Sequence, residues 1–158
     1  MKSERRRLDV ANRHPRLRVD RRALEAAVAL LDANAQSFRG GCPPGALSVA
    51  FLDDAALAGL HGRFLGDPSA TDVITFAGDA ANAAAGEICV SADAAARHAR
   101  ATGARLSGEI ALYVVHGWLH LAGYDDRKPA DRRAMRRAEA RAMRLLARSE
   151  ALPRFKLA

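Results

Sequence analysis

Cysteine is nearly absent from this sequence: Cys42 and Cys89 are the only two in 158 residues. Two thiols are too few for a disulfide framework, so reduced cysteines and a cytoplasmic setting are expected. No apolar run approaches the ~20 residues needed to span a bilayer. The opening MKSERRRLDV lacks the apolar stretch of a secretion signal. Aromatic residues make up only 5%. That leaves little material for stacking on bases, so any nucleic-acid partner should be read through its backbone and shape. Lysine is scarce as well, with 3 residues against 22 arginines.

Apolar residues, by contrast, reach 49%, which argues against a disordered chain. The length suits one hydrophobic core, and no linker, repeat or low-complexity segment divides it. Residues 1–158 therefore read as a single domain. A net charge of +7 and a pI near 10.4 point to a polyanionic partner, nucleic acid first. GC-rich coding, which favours Arg and Ala, produces the same charge with no such partner, so composition gives only a direction.

Local patterns indicate a mixed α+β domain of about four strands and about five helices. Leu8 and Val10 alternate with polar neighbours in a short strand that Pro15 interrupts. Asp20 is a suitable N-cap for a helix to about Gln36, with Leu24, Ala27, Val28 and Leu31 on one face. RGGCPPG is a loop, ALSVAFLDD a strand, and Asp53 the cap of a short helix. GDPSA is a turn before the strand TDVITFAG. The short connection DAANAAAG then allows an antiparallel hairpin with GEICVSA. Asp93 opens a small helix that closes near Gly103. Ser107 is expected to cap the next helix, and Pro129 to begin the last, which ends near Arg148.

The helix after Ser107 raises a chemical question. From Ile110 to Ala122 apolar residues occupy nearly every face, so it should be central and buried. Yet His116 and His120 lie one turn apart on a single face, about 400° of rotation and ~6 Å of rise from each other. Two buried rings hydrogen-bonded to carbonyls or to each other would account for them. So would a shared metal, since neutral imidazole is a common zinc ligand. In a straight helix Asp126 would lie ~9 Å beyond His120. Gly123 can end the helix in a left-handed conformation and turn the chain back, which allows Asp126 to approach the same point. Three protein ligands leave a position for water, the catalytic pattern of zinc. The spacing also matches metzincin proteases, but Gly117 stands where their general base Glu follows the first His. Protease activity by that mechanism lacks its proton acceptor.

HGWLHLAGYDD resembles the H-G-x-L-H-L-x-G-Y-D-H signature of the YbeY-type endoribonucleases, the bacterial rRNA maturation factors. Residues 60–76, LHGRFLGDPSATDVITF, are similar to that family's L-N-x-x-Y-R-x-K-D-x-P-T-D-V-L-S-F segment. GEICVSADAA is similar to its G-D-I-x-I-S strand. The resemblance implies a small α+β fold around one mixed sheet and one zinc ion held by three histidines. It further implies cleavage of single-stranded RNA in small-subunit rRNA 3′-end maturation and ribosome quality control. RNA and the small ribosomal subunit are then the expected partners, with neither DNA nor membrane among them. His116 and His120 match the first two ligands, and Asp126 takes the third histidine's place. Aspartate ligates zinc at about 2.0–2.2 Å. Its negative charge should make water at the site a slightly weaker acid than three imidazoles would.

A second departure concerns the Y-R-x-K-D stretch, whose Arg aligns with Leu65 and whose Lys aligns with Asp67. Arg63 is the candidate substitute for a phosphate contact, or else a solvated helix residue. Asp125 could orient a histidine ring, or simply belong to the turn. Thr71 and Asp72 suit a turn at the strand start, and Thr75 or nearby backbone could line the cleft. His61 and His98 have no metal partner at useful spacing. The last helix carries Arg133, Arg137, Arg141, Arg144 and Arg148 on one side, either an electrostatic footprint for phosphates or a solvated face partnered by Glu139 and Glu150. No general base stands out, and attack by water or by a 2′-hydroxyl stays open. Two further readings remain beside the zinc endoribonuclease. One is an RNA- or ribosome-binding assembly factor with a structural metal and little cleavage. The other is a metal-dependent hydrolase of another substrate.

Overall fold

In the computed structural model, which describes residues 5–65 and 72–158, a four-stranded sheet separates two unequal apolar layers. Strands β1 (Leu8–Asn12), β3 (Ala46–Leu52), β4 (Val73–Asp79) and β5 (Ala84–Ser91) lie in the order β1-β3-β5-β4. β1, β3 and β5 are parallel to one another, and β4 is antiparallel to β5, as a short connection requires. The helices are α1 (Arg21–Ala33), α2 (Asp54–Leu65), α3 (Ala92–Thr102), α4 (Leu106–Leu121) and α5 (Pro129–Arg148). A second, two-stranded antiparallel sheet pairs β2 (Leu17–Val19) with β6 (Phe155–Leu157). The turn expected at 66–70, together with Asp67 and Thr71, lies outside the described residues.

Alternation along the strands sorts side chains between the layers. Leu47, Val49 and Phe51 of β3 join the large core with α1, α4 and α5. Leu52, Ile74 and Cys89 face the other way, with Leu57 of α2. The expected α4 is the centre of the large layer. Ile110, Trp118 and Leu119 are fully buried, and Trp118 meets Phe38 edge-on with centroids 5.6 Å apart.

Several element boundaries follow local chemistry. Asp20 caps α1 by accepting the Ala23 N–H at 3.1 Å, and Asp53 accepts that of Ala56 at 2.8 Å. α1 stops at Ala33, short of Gln36, and a 3-10 turn (Ala35–Phe38) continues the chain. As expected, α3 opens at Asp93 within one residue and closes at Gly103; Ser91 is its cap, and Asp93 in the first turn bonds His14 Nε2 (2.8 Å) and the Asp54 N–H (3.0 Å). One expected cap is corrected. Ser107 does not cap α4, which starts after Arg105. Its hydroxyl is engaged instead by Phe155, accepting the N–H at 2.8 Å and bonding the carbonyl at 3.1 Å. β6 recruits it from 48 residues away. The same pairing explains why β2 and β6 escape sequence reading. Three residues carry no periodicity, and each strand exists only because the other covers its backbone groups.

Candidate metal centre

Gly123 determines where the chain goes after α4. Its φ is +105°, and its N–H donates to the His120 carbonyl while that of Tyr124 donates to Leu119, both at 3.0 Å. These two bonds are the paired closure of a Schellman motif, which requires a left-handed residue at this position. The reversed chain brings Asp126 back over the last turn of α4.

The result is a group of three converging donors: His116, His120 and Asp126. The two Nε2 atoms are 3.0 Å apart, with the rings nearly perpendicular at 83°. Asp126 Oδ2 lies 3.5 Å from His116 Nε2 and 3.6 Å from His120 Nε2. A tetrahedral ion with bonds of about 2.0–2.2 Å has donor–donor edges of about 3.3–3.6 Å. The two edges to Asp126 match that size, and the Nε2–Nε2 edge at 3.0 Å, a hydrogen-bond distance, is a few tenths of an ångström shorter, so the residues present fit a zinc-sized cation once the two rings part slightly. The rings are 20% and 25% exposed and Asp126 43%, so one side of the triangle faces solvent.

Glu139 of α5 is the residue that sequence reading missed. Its Oε2 is 3.2 Å from His116 Nδ1. A carboxylate accepts only, so Nδ1 carries the proton and the Nε2 lone pair points at the shared centre. Glu139 lies 23 residues from His116, and no local spacing connects them. Asp125, the candidate for that task, is exposed and accepts the Asp126 N–H at 2.7 Å. That bond, ahead of the charge of nearby Arg127, holds its carboxyl below the usual aspartate range despite an opposing desolvation contribution. Asp125 therefore braces the backbone of Asp126 rather than a ring.

The turn is held from outside by two arginines. Arg39 lies 4.0 Å over the Tyr124 ring and donates to the Gly123 carbonyl at 3.3 Å. Arg141 donates to the Tyr124 hydroxyl at 3.3 Å. Beneath them the Trp118 N–H donates to Asp32, which also pairs with Arg6 at 2.7 Å.

Gly117, the residue after the first histidine, faces away from the donors. A Cβ there would meet Ile88 at 2.5 Å. The site thus has no room for the metzincin glutamate at that position, because α4 packs directly on β5. Thr75 sits on β4, the sheet's edge strand, opposite in direction to Ile74 and so toward α4. Its hydroxyl oxygen is buried without a hydrogen-bond partner among the described residues. Arg63 is exposed on the last turn of α2. Leu65 ends the same helix. His98 bonds Glu109 at 2.8 Å, which satisfies a glutamate buried on α4.

A mixed sheet with a central buried helix presenting His-x-x-x-His, closed by a carboxylate from the following turn, defines a small α+β protein of the candidate metal-centre class. A family model described as Endoribonuclease YbeY matches residues 9–147, and the chain belongs to that family. It is 44% identical over 110 residues to an endoribonuclease YbeY of Chlamydia muridarum, covering 66% of this chain and 68% of that protein. It is 40% identical over 109 residues to the Anaeromyxobacter dehalogenans protein of the same name, covering 67% of this chain. That match spans only 54% of the Anaeromyxobacter protein's length. A solution structure from Thermotoga maritima shares the fold, with a TM-score of 0.62 over 91% of this chain and 92% of that one, at 21% identity.

Proposed function

We propose that this protein is a zinc-dependent, single-strand-specific endoribonuclease, hydrolysing RNA phosphodiester bonds in the cytoplasm during small-subunit rRNA 3′-end maturation and ribosome quality control. The reading treats residues 1–158 as one catalytic unit. Family membership supports it, as does the fact that no helix among the described residues is long and apolar enough to cross a membrane. One observation carries it: the 3.0, 3.5 and 3.6 Å triangle of His116, His120 and Asp126 in a chain of this family.

In this reading both imidazoles are neutral and turn their Nε2 lone pairs to the centre. Glu139 holds His116 in the required tautomer. Asp126 contributes a negative charge that offsets part of a dication's. Bound zinc supplies Lewis acidity toward a phosphoryl oxygen and acidifies water. The open side of the triangle admits a phosphate, while Gly117 keeps the helix seated against the sheet so that the two rings stay aligned.

The direct test is cleavage of a labelled single-stranded RNA by zinc-loaded protein. We expect cutting by wild type, at least a hundredfold slower cutting by His116→Ala, and no activity on duplex RNA. Stoichiometric zinc with no RNA cleavage would favour a second reading, an RNA- or ribosome-binding assembly factor with a structural metal. Asp126 in place of the family's third histidine is the observation on its side.

A further inference from the structure

A strip of positive surface starts at the Gly123 turn and leads away from the three donors. Arg39 and Arg141 stand at its head, both fastened to Tyr124. Arg141 also donates to the Ser37 carbonyl at 3.1 Å and lies 5.5 Å from the Phe38 ring centre. Beyond it, Arg144 and Arg148 continue along α5 and, with Asn34, Ser37 and Phe38, line a cavity of about 330 Å³. From Arg141 to Arg148 the helix rises about 10 Å. All four arginines are exposed, and none pairs with a carboxylate among the described residues.

This strip differs from a generally solvated basic face in two ways. It is concave, and its first guanidinium is held in place: Arg141, though exposed, uses one nitrogen for its two hydrogen bonds. Helix geometry also separates duties on α5. Residue 139 is about 200° around the axis from residue 141, so one flank orients His116 and the opposite flank offers arginines. Phe38 is only 1% exposed, which removes it as a stacking platform and leaves guanidinium groups as the recognition chemistry. A planar guanidinium fork matches phosphate oxygens and ignores base identity.

We infer that the cavity formed by Arg141, Arg144 and Arg148 against the Asn34–Phe38 turn is a phosphate subsite. It holds the backbone of single-stranded RNA flanking the metal centre, with the strand passing over the Gly123–Tyr124 turn. This rests on the RNA-cleaving reading and adds where the uncut part of the substrate lies.

The test is binding of a 5′-labelled, 2′-O-methyl oligouridine of twelve nucleotides to the full chain, followed by fluorescence anisotropy across a salt series. Removing two phosphate contacts in the R144A/R148A variant should lower the slope of log K against log salt by about 1.4, a loss of roughly 25-fold at 0.1 M salt. Zinc content and the circular dichroism spectrum should stay unchanged, because both side chains are exposed. A control pair on β2 and the start of α1, R18A/R22A, removes the same charge and should change affinity by less than threefold. Equal affinity and slope for wild type and R144A/R148A would overturn the subsite. So would an equal loss in R18A/R22A, which would mean diffuse attraction. Cleavage by wild type with unaltered KM in R144A/R148A sinks the subsite alone, whereas zinc-loaded wild type that neither cuts nor binds RNA sinks the RNA reading itself.

Discussion

The two ring nitrogens of His116 face different partners, and that division decides which one can bind a cation. Nδ1 meets Glu139 at 3.2 Å, while Nε2 meets His120 and Asp126. Glu139→Gln keeps the size but can present an N–H to Nδ1 and so stabilise the wrong tautomer. Zinc affinity, measured by competition with a chromophoric chelator, should fall about 10- to 100-fold in this variant. Its fold should persist. Unchanged zinc affinity would show that Glu139 merely fills space. Asp126→His restores the third imidazole that the family resemblance implies. It should leave zinc stoichiometry at one while raising the acidity of water at the site, seen as a pH–rate profile shifted to lower pH. Burial, not reactivity, explains the cysteines. Desolvation pushes Cys42 up to about 11 and Cys89 to about 12, so both stay thiols at neutral pH.

Elements position these residues through two glycines with opposite requirements. Gly123 needs its left-handed conformation, with nothing within 4 Å of an added Cβ. Gly123→Ala therefore costs backbone strain of about 1–2 kcal/mol, and relief of that strain displaces Asp126. Gly117 has ordinary helical geometry but no space, since its Cβ would press on Ile88. Gly117→Ala should destabilise by about 1–3 kcal/mol through overpacking. Thermal unfolding and zinc titration together separate the two: both variants lose stability, and Gly123→Ala loses the greater part of its zinc affinity. Equal zinc affinity in wild type and Gly123→Ala would detach the turn from the site. The role of Gly123 was legible because the helix, its stop and the returning residue are neighbours in sequence. That of Gly117 was half legible. Its lack of a carboxylate was plain, but the contact with β5 that forbids one was not.

Across the whole molecule, His14 and Asp93 tie the segment between β1 and β2 to the start of α3, 79 residues away. His14 is buried, and its Nδ1 accepts the Arg16 N–H, so Nε2 donates to Asp93. Desolvation opposes ionisation of Asp93, but the His14 and Asp54 hydrogen bonds outweigh it and hold its carboxyl below the usual aspartate value. A depressed carboxylate stabilises the fold fully above its unfolded value of about 3.9, and that stability is lost as pH falls through the lower folded value. The melting temperature of wild type should therefore drop more steeply than that of Asp93→Asn between about pH 5 and pH 3. Parallel curves would remove Asp93 from the acid response.

Sequence alone determined what rests on contacts within a few turns of chain: the Asp20 cap, the antiparallel β4–β5 hairpin, the last helix from Pro129, the shared face of His116 and His120, and the turn at Gly123. Each depends on helix or strand geometry that neighbouring residues set between themselves. Tertiary structure decided the rest. Glu139 rather than Asp125 reaches the ring, Ser107 serves β6 instead of α4, and β2 exists only beside β6. These outcomes depend on which distant backbone or side chain arrives to satisfy a buried polar group. That pairing is a property of the packed chain, and no spacing along the sequence encodes it.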